Sequence, residues 1–571
     1  MKKTSSLIKK QRGSNRANKV EPLQKEYRLR KRIFTIITAV FFLLLIVFQL
    51  TGNSSFIVYK DPEGVLKSEM KDDYLDKMTE DVKSISNYVT IVDPEFLVIN
   101  ADYEKSDMEV SAILETLECM KVKHMCVTTA EIQSQKNLDI PFSIKTVIVS
   151  GDMNGDTLSD SQIEWLNQKG INFIFTTMPK ALGIEKNNLH ALLGIEVLNG
   201  VIDQEGMRFT DEVFLGGQFE VKDIKYQLED VDLMASCKVY AYGLKVVDEE
   251  IVERNEQLPP LMWRNTYGNS KVFVVNGDYF AENMGYGLLT AMITHLQGDN
   301  YLYPVANVSV MIFDSIPYNG EANEELLQKL YSRDSIKFQT DILWPSLISI
   351  CKRLDIVPTM YTSSGEKMNQ TDYFERSIID LHGELIFSET AQVCARDISV
   401  PEGRIWDQYP DLPVIVTGFK KNDADMLRLY SICSTFGAVI HRVDTAEVIA
   451  PKSEDNDWVD VEKEFSDYIA YYLDDFSPLD DVTASDASVR FLEYRFMEPT
   501  ISYEGNDIFV EINNMPEKAS FVLRTNKEID NIEGADYDKI DEKSYLVESE
   551  NDRFTIHLKK FDTDTYQGNF F

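Results

Sequence analysis

The sequence predicts an α/β protein on a single N-terminal transmembrane helix, closed at its C-terminal end by a small β-sandwich. Three observations lead there. Residues 33–50, IFTIITAVFFLLLIVFQL, carry no charge. From residue 93 to 495, short apolar runs rich in Val, Ile and Phe alternate with helical patterns, the signature of a mostly parallel sheet covered by helices. After residue 496 the pattern changes to apolar/polar alternation, which fits antiparallel strands with one wet face.

As a helix, residues 33–50 span about 27 Å, one hydrocarbon core. No small-residue cleavage pattern follows in TGNSSFIVYK, so an uncleaved anchor over 33–52 is expected in preference to a cleaved signal peptide. Residues 1–32 hold 12 Lys/Arg against Glu21 and Glu26, a basic arm that stays cytoplasmic. The chain is thus expected in the cell membrane, single-pass, with its bulk extracytoplasmic. Without the arm, the 58 Lys/Arg and 94 Asp/Glu become 46 and 92. Such an acidic exterior disfavours nucleic acid and makes the arm a topology signal. It is compatible with a cationic amino-sugar polysaccharide, although solubility alone also explains it. Residues 53–92 read as a charged helical stalk. The six cysteines are scattered and form no C-x-x-C; those in SLISICKRL and LYSICSTFG are expected as buried free thiols.

Residues 93–300 form the first α/β unit. Strands are expected in EFLVINA, HMCVTT, IKTVIVSG and INFIFTT, and helices in MEVSAILETLECMK and DSQIEWLNQKG. Residues 207–265 read as short antiparallel strands, after which SKVFVVNGDYF returns as a strand and GYGLLTAMITHL as its helix. Within this unit, DMNGDTLSD spaces Asp152, Asn154 and Asp156 like a calcium loop, but Thr157 and Ile163 stand where Gly and Glu are needed. A strand-to-helix turn with Ser159 and Gln162 in capping-box spacing is the expectation. No G-x-G-x-x-G follows a strand, so no dinucleotide site is expected.

Residues 301–495 repeat βα units: VSVMIFD, VPTMYTS, GELIFSE, DLPVIVTG and AVIHRVD are strands separated by helices. An open or distorted (β/α) barrel fits, with chemistry at the C-terminal strand ends, where Asp314, Ser388 and His441 fall. Residues 496–571 supply the sandwich through DIFVEINN, ASFVLRT and DRFTIHLKK.

The first unit resembles glutamine-amidotransferase-like domains of the Rossmann type, although no nucleophilic cysteine stands at a strand-to-helix elbow. The barrel pattern, VFVVNGDYF and the terminal sandwich resemble the polysaccharide-deacetylase (NodB-like) superfamily. The branch it is most similar to is a membrane-anchored one associated with Pel-type exopolysaccharide clusters. In that family a strand ends in Asp-Asp, base then metal ligand, and two histidines about four residues apart complete the metal site. The metal polarises the acetyl carbonyl and acidifies its water. The resemblance places Asp314 at the base position and Ser315 at the metal position. In GELIFSETAQ it places Ser388 and Gln392 where the histidines belong. Serine and glutamine hold such a metal weakly, so no cofactor is expected, with zinc only at a rearranged site.

His441 falls near the family's late general-acid histidine, and His382 lies close to the second motif. Asp314, His382 and His441 are the residues that a rearranged site would use, with Asp407 lining the groove; a lone histidine beside an apolar strand is otherwise structural. Asp474 and Asp475 copy the Asp-Asp pair but close a helix, which makes them a solvated helix end. Three functions follow. The first is a catalytically degenerate deacetylase-like scaffold for exopolysaccharide, docking other biosynthetic proteins. The second is an active deacetylase or glycoside hydrolase, using Asp314 with Asp407 or Asp341. The third is a cell-surface sensor or adhesion module.

Overall fold

The computed structural model describes residues 93–560 except 102–105, 135–139, 152–153, 248–249, 252–253, 281–283, 319, 364–370, 389–394, 398–411 and 452–456. The arm, anchor and stalk expected over 1–92, and with them Gln392, Cys394 and Asp407, lie outside the described residues. Among the described residues no helix is long and apolar enough to cross a membrane. Their architecture is mixed α/β.

The first sheet has nine strands. β1 (Phe96–Asn100), β2 (His124–Thr128), β3 (Thr146–Ser150) and β4 (Asn172–Phe175) are parallel. Their apolar runs suit strands covered on both faces. The antiparallel part comprises the long hairpin β5 (Ile195–Phe209) and β6 (Phe219–Leu233), then β7 (Lys238–Gly243). A small ribbon, β8 (Val246–Val247) with β9 (Glu250–Ile251), precedes β10 (Pro260–Tyr267) and β11 (Ser270–Val275). The sheet order is β2-β1-β3-β4-β11-β10-β7-β5-β6. The sequence pattern implied short strands from residue 207, whereas β5 and β6 have 15 residues each. Register shifts near Val197, Gly200 and Gly206 break the period-2 pattern along the hairpin and so hide its length.

Helices α1 (Ser106–Cys119), α2 (Asp160–Gln168) and α3 (Gly285–Gln297) belong to this sheet. Before α2, the Ser159 backbone N–H donates to Gln162 Oε1 at 2.9 Å, the expected capping box. Strand alternation divides the apolar side chains. Phe96 and Val98 enter a large core that continues into the rest of the chain, while Leu97 and Ile99 enter a smaller one on the opposite face.

After β12 (Asn300–Val305), a second, wholly parallel sheet is built on β13 (Val308–Asp314). Helix α4 (Trp344–Leu354), β14 (Pro358–Ser363), α5 (Thr371–Ile379) and β15 (Glu384–Ser388) follow. Next come the paired β16 (Ala395–Asp397) and β17 (Leu412–Val414), then β18 (Val416–Thr417), α6 (Asp423–Phe436) and β19 (Ala438–Asp444). The order is β15-β14-β13-β19-β18, an open sheet among the described residues. The described strands do not close into the expected (β/α) barrel, and much of the stretch between β15 and β18 lies outside the described residues. Helices α7 (Trp458–Asp475) and α8 (Ala484–Phe496) complete this region.

The two sheets are joined through α3 and α6. Gly287 N–H donates to Ser431 Oγ at 2.9 Å, and the Thr290 and Thr435 hydroxyls meet at 2.8 Å, all buried. Gly287 is required here because a Cβ would stand 2.7 Å from the Phe214 ring and 2.8 Å from Ser431 Cα. Cys351 and Cys433 are buried and free, as their apolar contexts imply.

The C-terminal strands are β20 (Glu498–Glu504), β21 (Asp507–Asn513), β22 (Ala519–Thr525), β23 (Ile529–Glu533), β24 (Asp536–Asp541), β25 (Ser544–Ser549) and β26 (Arg553–Leu558). They form two antiparallel sheets, β12-β22-β25-β24 and β20-β21-β26-β23. Phe521 of one meets Phe554 of the other at 5.4 Å between ring centroids. Residues 300–305 thus pair with β22 and not with the second parallel sheet.

Candidate functional site

In an open parallel sheet, ligands bind beyond the carboxyl ends of the strands, where the strand order reverses. Here β14 and β15 lie to one side of β13, and β19 and β18 to the other. The crevice therefore falls between the ends of β13 and β19, where Asp314 and Asp444 are register partners.

Asp314 is 3 % exposed. Arg442, on the adjacent strand, donates to its Oδ2 from Nε at 2.9 Å and also from Nη2. The Ser315 N–H donates to the other oxygen at 2.9 Å. The Thr445 hydroxyl ties down the turn, reaching the carbonyls of Asp314 and Ser315 at 3.0 and 2.9 Å. Ser315 itself is left-handed, φ 59°. Both carboxylate oxygens of Asp314 thus accept charge-assisted or backbone hydrogen bonds. Asp444, the neighbouring carboxylate, accepts the Ala446 N–H at 3.0 Å.

His441 does not join Asp314. Ile312 is the register partner of Arg442 and Met311 that of His441. Because strand side chains alternate, His441 points to the opposite face from Asp314 and Arg442. There it is fully buried beside Phe465, Tyr468 and Tyr472 of α7. Its Nε2–H donates to the Gly418 carbonyl at 2.8 Å, since a carbonyl only accepts, and Nδ1 accepts from the Tyr472 hydroxyl at 2.8 Å. Burial pushes its pKa down to about 4. The geometry is that of a neutral core histidine.

His382 lies at the other end of the sheet. It is exposed, left-handed at φ 57°, and its N–H donates to Ile379 O at 3.0 Å in the turn after α5. The strand registers put it about 13 Å below Asp314 along the strand direction. Ser388 closes β15 in register with Ser363, at the same edge as Asp314 but beyond β14. Gln392 and Asp407 are outside the described residues. Asp341, the other partner considered for a glycosidase pair, is bound on the surface by Arg333 at 3.1 Å. The Asp474–Asp475 pair is half as solvated as expected. Asp474 is exposed, but Asp475 is partly buried and accepts the Tyr430 hydroxyl, and its carboxyl is pushed up chiefly by burial.

Among the described residues no group of three or more His, Cys, Asp or Glu side chains could hold a metal ion. The residues around Asp314 do not suit one either. A metal bound there would share Oδ2 with the guanidinium of Arg442, cation against cation, and Ser315 offers a hydroxyl where a carboxylate is needed. Arg442 is the residue that sequence reasoning missed. Its signal was its place in AVIHRVD, on the same strand face as the terminal aspartate.

Residues 216–384 and 405–546 match the family DUF2194, described as an uncharacterised protein conserved in bacteria. A comparison with curated proteins finds no match. The match runs from the antiparallel part of the first sheet through the Asp314–Arg442 pair into the sandwich, and covers more than half of the sequence. The chain belongs to this bacterial DUF2194 family.

Proposed function

We propose that this chain is a membrane-anchored, extracytoplasmic protein of exopolysaccharide biosynthesis or export. In this reading its deacetylase-like (β/α) barrel has lost the metal site and holds or guides an amino-sugar glycan, or docks partner subunits, while the amidotransferase-like unit and the sandwich frame it. The observation that carries the reading is the ion pair of Asp314 with Arg442. A carboxylate placed like a deacetylase base is taken up by a permanent cation, with serine beside it. The separation of Asp314 and His441 onto opposite sheet faces supports the same reading, because the two cannot serve one reacting centre.

The test uses the full chain in detergent with short N-acetylated amino-sugar oligomers. Expected are retained oligomer, no stoichiometric zinc, and acetate release no higher than the blank. Stoichiometric zinc, or acetate release stimulated by cobalt, would remove the degenerate-site reading. Failure to retain any oligomer would remove the glycan role.

A further inference from the structure

A second site stands apart from the strand ends of the parallel sheet. A cavity of about 250 Å³ opens where β7, β10, β11 and α3 meet the end of β22. Five cationic side chains line it, Lys238, Arg264, Lys271, Arg524 and Lys543, against the two carboxylates Glu212 and Asp299. This balance reverses that of the whole chain, whose net charge is −36.

The sheet itself builds the cationic row. Lys238 is the direct cross-strand partner of Arg264, and Lys271 sits diagonally from Arg264 on the next strand, opposite Thr266. Period 2 puts all three on one face. Like charges directly opposite each other destabilise a sheet, so the row needs compensation. Glu212 supplies part of it, bound by Lys238 at 2.5 Å and Lys543 at 3.0 Å. Arg264 and Lys271 have no carboxylate within ion-pair distance among the described residues.

Arg524 sharpens the imbalance. It is 8 % exposed, and its terminal nitrogens donate to the carbonyls of Val213 and Phe214, at 3.0 and 3.4 Å, neutral acceptors that bring no counter-charge. Its buried Nε has no hydrogen-bond partner. A desolvated guanidinium without a counter-ion is costly unless an anion comes near. On the cavity wall, His295 stacks near Tyr240 and Phe273 and donates Nε2–H to Glu212 O at 3.0 Å, which fixes the loop that carries Glu212.

We propose that this cavity binds the phosphate monoester of a small soluble molecule. Arg264 offers the guanidinium fork and Lys271 the point charge, with the buried charge of Arg524 behind them. Two unmatched cations on the row fit a dianion better than a single carboxylate, and forked donors fit tetrahedral oxyanions. The inference does not depend on the fate of the Asp314 site.

The test is calorimetric titration of the full chain at fixed ionic strength with inorganic phosphate and with glucose 1-phosphate, and with glucuronate as the carboxylate control. Saturable phosphate binding is expected, at least about tenfold weaker in Arg264→Gln/Lys271→Gln. Without ligand, that variant should melt no lower than the parent, because the row loses repulsion. Lys271→Arg should retain binding. No saturable binding to the parent, or equal affinity in the double variant, overturns the proposal. Tighter glucuronate binding overturns the phosphate assignment. Binding only to vesicles containing phosphatidic acid moves the ligand to a lipid and overturns the small-molecule assignment.

Discussion

Arg442 and Asp314, 128 residues apart in the chain, close on each other across the neighbouring strands β19 and β13, with two guanidinium nitrogens on one carboxylate oxygen. The Asp314 side chain is buried, while the Arg442 side chain as a whole is 27 % exposed. Removing one partner of such a pair costs more than removing both, because the survivor is left uncompensated. Arg442→Met is therefore expected to destabilise by about 2–4 kcal/mol, and Asp314→Asn by less, since an amide still accepts a hydrogen bond. The double variant should recover part of the loss, a coupling of about 1–3 kcal/mol in a urea double-mutant cycle. A coupling near zero would remove the structural role assigned to the pair.

His441 makes the protein sensitive to mild acid. Its folded pKa is depressed to about 4 by burial, against an unfolded value near ~6.5. As pH falls through that window the unfolded chain takes up the proton first, so stability is full above the upper value and falls towards the lower one. The loss at its end is about 3 kcal/mol. His295, also depressed to about 4, acts with the same sign. Glu212 behaves differently. Burial opposes its charge, but Lys238 and Lys543 hold the pKa down to about 2, so its contribution is lost only as the pH drops below the ordinary glutamate range. Urea midpoints measured from pH 7 to pH 4 should fall steadily, and His441→Leu should be less stable at pH 7 but show a shallower slope.

Gly287 tests the joint between the two sheets. A Cβ there meets Phe214 and the Ser431 backbone at 2.7–2.8 Å. Alanine would normally favour a helix by about 1 kcal/mol, so a net gain in stability would show that the joint has slack. The close contacts predict the reverse, a loss of about 1–3 kcal/mol from overpacking in Gly287→Ala. The comparison needs only the two denaturation curves.

What the sequence alone determined is local. The runs FLVIN, TVIVS and VSVMIFD are read as buried strands because both faces are apolar, and β1, β3 and β13 stand there. The Ser159–Gln162 spacing marks a helix start because a cap is made within one turn. Alternation in DIFVEINN and DRFTIHLKK marks β21 and β26, since each buries one face, whereas ASFVLRT, expected to alternate likewise, is β22, buried along its whole length. Tertiary structure decided what depends on pairing between distant strands. It set the order that carries β12 into the sandwich, the register that separates His441 from Asp314, the capture of that aspartate by Arg442, and the row of Lys238, Arg264 and Lys271. Periodicity reports which face of a segment is apolar, but not which strand lies next to it or at what register. Ion pairs and cationic clusters arise only from that adjacency.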